Sequence, residues 1–286
     1  MPLPEMLMLI VGGVGAGLIG ALFGLGGGIL IIPMLTLILD VPMHNAVATS
    51  LMCVIATSSA AASKNIARGI ANVKLGMTLE LWTVAGAMVG GFIAGYLPGK
   101  ALMLLFASAI SLMAIPMARG LEGEAIDPAS EGRATEGGAT FISSLRGEFH
   151  DPARGADVSY QVQRLPLAMG VSSVAGVLSG LLGVGGGIIK VPVLSSYCDV
   201  PIKAAAATSN FMIGVTAVAS AFVYFGRGEV LPLVTAASVI GVFAGSRAGS
   251  LLAPKIHANR LRQAFAIVMV VIAMQMFWRA VTGDVR

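Results

Sequence analysis

Two stretches decide the fold: GLGGGILIIP, residues 24–33, and GVGGGIIKVP, residues 183–192. They are copies of one another. Displacing the chain by 159 residues aligns Leu22–Ser50 with Leu181–Ser209 without a gap, and 15 of the 29 pairs are identical. The identities include the four glycines of each stretch and its closing proline. They extend to Asp-Val-Pro at Asp40–Pro42 and Asp199–Pro201, and to Ala-Thr-Ser at Ala48–Ser50 and Ala207–Ser209. Arg68-Gly69 and Arg227-Gly228 keep the offset; the register then slips, and Gly86 and Gly90 face Gly241 and Gly245. Chance does not produce such a match. Internal repeats in a chain with many apolar segments point to transporters more than to other classes.

Composition places the chain in lipid. Of 286 residues, 56% are apolar and 11% charged, and the mean hydropathy is +0.88. A soluble domain covers itself with about 25% charged residues. Five apolar pieces recur in each half: 5–23, 29–39, 43–63, 76–97 and 101–118, then 165–182, 188–198, 202–225, 231–252 and 261–281. The second piece of each half spans only about 16 Å as a helix, half of a bilayer core about 30 Å thick. Joined to its predecessor it would run about 50 Å, too long for one crossing. The glycine run is therefore expected to break the helix inside the membrane, because such a turn needs backbone angles that other residues resist. The expected fold is an all-α polytopic membrane protein of two homologous inverted repeats. Each repeat carries one glycine-rich broken or re-entrant half-helix, for about eight full spans and two half-helices in all. The repeats are 1–118 and 165–286, joined by a cytoplasmic linker, 119–164, with eight acidic residues and five arginines that predict partial disorder.

Inversion is read from the basic residues, which favour cytoplasmic loops. Lys64, Arg68 and Lys74 surround the loop after the third piece of the first half, and Lys100 follows the fourth. In the second half the bias reverses: Arg227 stands alone after the third piece, and Lys255, Arg260 and Arg262 follow the fourth. Corresponding loops thus face opposite sides. Both termini are expected outside, and Lys74 and Lys255 on the cytoplasmic face. The opening MPLPEMLMLI lacks the basic region of a signal peptide, so the first apolar piece is expected to stay.

A helix that begins inside the membrane leaves backbone N–H groups unpaired, and with the helix dipole these attract anions. Gly26, Gly27, Gly28 and Gly185, Gly186, Gly187 would frame two such ends, converging near the midplane. Only the second copy adds a charge: Lys190 replaces Ile31. An ammonium at membrane depth is by default a functional group. No acid lies near it in sequence, so a bound anion is the expected partner. Thr49, Ser50, Thr208, Ser209 and Asn210, in the next helices, would add neutral donors. Glu80 is the one clear acid within an apolar piece, which gives a proton route little support; export of an anion from a negative interior needs none. Cys53 and Cys198 are read as packing residues, and His150 has no second histidine nearby, so no metal or other cofactor is expected. The net charge of +4 is too small and scattered for nucleic acid. His44, His150 and His257 fall at segment ends or in loops, which argues against an intramembrane protease and for a protein that is not an enzyme.

At the two glycine stretches, each followed by DVP and ATS, the chain resembles the sulfite exporter TauE/SafE family of bacterial membrane transporters. The likeness covers both halves, about 1–118 and 165–281. The resemblance implies a multi-pass inner-membrane transporter, with export of sulfite, a sulfonate or a related organosulfur or small organic anion. An anion channel and a proton-coupled uptake permease are the alternatives. The expected partners are the small anion and the lipid bilayer, with a homo-oligomer left open.

Overall fold

A computed structural model describes residues 3–23, 27–119, 145–151, 156–252 and 258–282. Ten α-helices form from the ten apolar pieces. In the first half they are α1 (Leu3–Phe23), α2 (Gly28–Pro33, continued by a wider turn over Met34–Ile38), α3 (Met43–Ala67), α4 (Val73–Tyr96) and α5 (Gly99–Arg119). In the second they are α6 (Leu165–Leu182), α7 (Gly187–Ser196), α8 (Ile202–Gly226), α9 (Pro232–Leu252) and α10 (Ala258–Thr282). The helix starts follow local chemistry. Pro42 and Pro201 immediately precede α3 and α8, where a missing N–H costs nothing. Asn72 caps α4, its Oδ1 accepting from the Leu75 amide at 3.0 Å.

Among the described residues, six helices are long and apolar enough to cross a membrane: α1, α3, α4, α6, α8 and α9. The protein is a multi-pass membrane protein. Helices α5 and α10, counted as spans from sequence, contribute the shorter apolar stretches Gly99–Ala114 and Ala266–Thr282.

Exchanging the two halves leaves the principal helix pairs unchanged. Helix α1 packs on α9 as α6 packs on α4, while α3 packs on α8 and α5 on α10. The small residues explain how closely they pack. A methyl group at Gly86 or Gly90 would collide with the carbonyl oxygen of Ser173 or Val177 on α6. One at Gly241 or Gly245 would strike that of Ile10 or Val14 on α1. The sequence repeat is thus also a repeat of backbone-to-backbone contact.

Loops identify the two ends of the bundle. At the start of α3, Asn45 Nδ2 donates to the Glu229 carbonyl just beyond α8 at 2.7 Å, and His44 Nε2 lies 3.0 Å from the Ala94 carbonyl. Beyond the end of α3, the Asn72 amide donates to Thr208 Oγ1 near the start of α8 at 2.9 Å. Helices α3 and α8 therefore run antiparallel. Lys64 Nζ, late in α3, reaches Ser250 Oγ, late in α9, at 3.3 Å.

The linker holds the one departure from helix among the described residues. Strands β1 (Gly147–Asp151) and β2 (Ala156–Tyr160) pair antiparallel, Phe149 opposite Val158. Leu145, Phe149, Tyr160 and Val162 pack on Leu75, Leu79, Leu194, Cys198 and Val200. Asn72 Nδ2 donates to the Leu145 carbonyl at 3.1 Å, and the Gln163 amide to that of Cys198 at 3.1 Å. The disorder expected of the linker does not hold for this part, because the hairpin buries its few apolar side chains against the ends of α4 and α7.

Candidate functional site

The second glycine stretch breaks its helix as the sequence predicts. Helix α6 ends at Leu182, and Gly183, Gly185 and Gly186 have φ of 68°, 84° and 65°. These left-handed angles favour glycine. A Cβ on Gly186 would lie 2.8 Å from the Ala175 carbonyl oxygen and 3.5 Å from Ser179 Cβ. The chain has therefore turned back alongside α6 before α7 begins, and only a bare backbone fits. In the first copy Gly27 has φ 73° and α2 begins at Gly28; Gly26 lies outside the described residues.

The two breaks meet at one hydroxyl. Ser50 Oγ lies 2.8 Å from the Gly183 carbonyl oxygen and 3.1 Å from that of Gly28. Its proton is thus used to hold the two interruptions together. Thr49 Oγ1 pairs with Thr235 Oγ1 at 3.1 Å, and Thr208 Oγ1 accepts from the Asn72 amide. Asn210 is half-buried. Of the four hydroxyls expected to face a ligand, only that of Ser209 is buried without a partner. It sits at the start of α7, 3.1 Å from where a Gly187 Cβ would be.

One turn into α7 stands Lys190, 1% exposed, its Nζ without a hydrogen-bond partner among the described residues. A buried ammonium left this way loses its hydration with no replacement. Across from it, on α4, is Glu80, 6% exposed. Thr216 Oγ1, on α8, donates to Glu80 Oε1 at 2.7 Å, and Oε2 has no partner. The two are neighbouring opposite charges that do not touch, since neither Nζ nor Oε2 has a hydrogen-bond partner. Ser179 Oγ, on α6, is also unpartnered. Helices α4, α6, α7 and α8, which pack on one another, thus each carry one such atom: Glu80 Oε2, Ser179 Oγ, Lys190 Nζ and Ser209 Oγ. All four are buried polar atoms lacking the partner that such atoms normally have.

The sequence reading left Lys190 without a counter-charge; the structure supplies one in Glu80. The two are far apart in the chain, and no motif links them. The corresponding place in the first repeat holds no such charge pair. Ile31, 0% exposed, stands for Lys190, and Thr235, bonded to Thr49, stands for Glu80. A cleft of about 590 Å³ lies at the end of the molecule holding the α2–α3 loop, lined among others by Glu5, Asp40 and Pro232. Lys190 is not among its walls. Asp40 and the Thr36 carbonyl there bind Arg279 of α10. No cluster of three or more potential metal ligands occurs among the described residues.

A family profile described as "Sulfite exporter TauE/SafE" matches residues 9–276 of the chain. The chain is similar to the probable membrane transporter protein YunE of Bacillus subtilis, 26% identical across 97% of this chain and 99% of that one. It is likewise similar to a probable membrane transporter protein of Xylella fastidiosa, 26% identical across 92% and 93%. One from Methanocaldococcus jannaschii is 26% identical across 94% of each chain. No solved structure matches.

Proposed function

The chain belongs to the sulfite exporter TauE/SafE family of membrane transporters, and from that premise we propose that it carries a small anion through the chamber beside Lys190. It is then a transporter and not an enzyme. The observation that carries this reading is the buried, unpartnered Lys190 ammonium beside two unpartnered serine hydroxyls at the start of an interrupted helix. An oxyanion placed there would take a charge-assisted hydrogen bond from Nζ and neutral ones from Ser179 and Ser209. The positive end of α7 adds a favourable field. Gly185, Gly186 and Gly187 let the backbone turn there, and Gly27 and Gly28 bring the first repeat's break against it.

The cargo class is sulfite, a sulfonate or a related organosulfur or organic anion. The membrane is the bacterial inner membrane. The topology we infer is an inverted repeat of eight spans with two re-entrant half-helices. Its support is the antiparallel crossing of α3 and α8, the exchangeable neighbours of the halves, and the return of α7 along α6. On this reading both termini and the α2–α3 loop face outward, and the hairpin of the linker lies inside.

Reconstitution tests the proposal. Proteoliposomes holding the purified protein are assayed for flux of sulfite, sulfate, methanesulfonate and acetate. Saturable flux of at least one is expected. Lys190→Met should reduce it at least tenfold, and Lys190→Arg should keep part of it, since a guanidinium still donates to an oxyanion. Undiminished flux in Lys190→Met would remove Lys190 from the site.

A further inference from the structure

We propose that Glu80 is a proton-binding site that obliges the anion to travel with a proton. The inference rests on the anion reading of the Lys190 chamber and adds its coupling. The argument begins from net charge. Empty, the site holds an ammonium and a carboxylate on two helices that share α6 and α8 as neighbours, at 1% and 6% exposure. Their sum is zero, the arrangement a low-dielectric interior tolerates best. A monoanion arriving at Lys190 would bring the sum to minus one and lie beside the Glu80 carboxylate. Taking up one proton on Glu80 restores the sum to zero and turns a repelling acceptor into a donor. Each form, empty and loaded, is then neutral, and either can be carried through lipid without dragging an uncompensated charge.

The hydrogen bonds fit both protonation states. Thr216 Oγ1 lies 2.7 Å from Glu80 Oε1 and 2.9 Å from the Met212 carbonyl oxygen, and it has one proton to give. With Glu80 ionised, that proton goes to Oε1. With Glu80 protonated at Oε1, the hydroxyl turns to Met212 and accepts. With the proton on Oε2, now unpartnered, the acid donates to the bound anion instead. No partner has to move more than a hydroxyl rotor.

Few other groups compete. Helix α6 has no ionisable side chain between Leu165 and Leu182. Helix α8 carries Lys203 in its first turn and Tyr224 near its far end, and α3 carries His44, Cys53 and Lys64. Lys74 is on the first turn of α4 itself, and the hairpin packed there carries Arg146, Glu148 and Tyr160. None of these is bonded to Glu80, whose hydrogen bond among the described residues is that of Thr216. The inference favours proton-linked movement over the potential-driven export expected from sequence.

Proton counting tests it. Methanesulfonate and sulfate are fully ionised near neutral pH, so any proton taken up on binding belongs to the protein. The purified full-length protein is titrated with each anion in weakly buffered detergent containing a pH dye, and binding is followed in parallel by thermal melting. Methanesulfonate is expected to bind with uptake of close to one proton. Its affinity should fall as pH rises, approaching about tenfold per pH unit once Glu80 is ionised in the empty protein. Glu80→Gln, which mimics the protonated acid, should bind at least as tightly, take up no proton and lose the pH dependence. Binding without proton uptake in the wild type would overturn the inference while leaving the anion site standing, and this needs no variant. Uptake that persists in Glu80→Gln would overturn it equally. Acetate, also fully ionised near neutral pH, and sulfite are titrated likewise; binding of none of the four anions would defeat the anion reading itself, and the inference with it.

Discussion

Lys190 and Ile31 hold equivalent places in the two repeats, and the difference between them concentrates the chemistry in one half of the molecule. Removing one member of a buried pair of opposite charges leaves the other uncompensated, whereas replacing both is often neutral or stabilising. Lys190→Met combined with Glu80→Gln is therefore expected to melt no lower than the wild type while losing anion-dependent stabilisation. A drop in melting temperature together with retained anion response would show a structural lysine. The serines separate in the same way. Ser50 holds the carbonyls of Gly28 and Gly183, so Ser50→Ala should destabilise by about 1–3 kcal/mol, seen in denaturant or thermal unfolding. Ser209 has no partner to lose. Ser209→Ala should leave unfolding unchanged and weaken anion binding roughly threefold to tenfold, the worth of one net hydrogen bond. Lys190 could be singled out from sequence because charge is rare in an apolar run. Its neighbour Glu80 could not be assigned to it, since nothing local to either residue reports their approach. Nor could Ser50 and Ser209 be told apart, because both occupy the same tripeptide and differ only in what faces them.

At the scale of elements, the interruptions are set by glycine and the close crossings by small side chains. Gly186 has a left-handed backbone and lies against the Ala175 carbonyl. Gly186→Ala should lose at least about 1–2 kcal/mol from the backbone term alone, with more from the collision. The measurement is thermal unfolding in detergent; an unchanged midpoint would mean that α7 does not return along α6. The ten helices among the described residues were legible in sequence because each apolar piece is bounded by glycine, proline or charge and recurs in the other half. The hairpin of β1 and β2 was not. Its apolar residues, Phe149, Val158 and Tyr160, are too few to reveal a period of two amid so much charge. It is held by Asn72 and by the loop after α7, neither of which signals a strand partner.

At the scale of the whole molecule, one end holds an open cleft by the α2–α3 loop, while the hairpin covers the corresponding loop at the other. Sidedness is inferred from the basic residues, because two loops with opposite bias occupy matching places in the repeat. Lys64 bonding to Ser250 supports that reading; Lys255 lies outside the described residues. Single cysteines at Lys74 and Ser250 should react with an impermeant thiol reagent from the cytoplasmic face, and one at Glu229 from the opposite face. Lys74 and Ser250 labelled from different sides would contradict antiparallel halves. Most direct of all is the position of the anion. Crystals of the full-length protein grown with selenate, a heavy-atom relative of sulfate, should show an anomalous peak within hydrogen-bond distance of Lys190 Nζ and Ser209 Oγ. Selenate found only at surface residues, with the chamber beside Lys190 empty, would contradict the account.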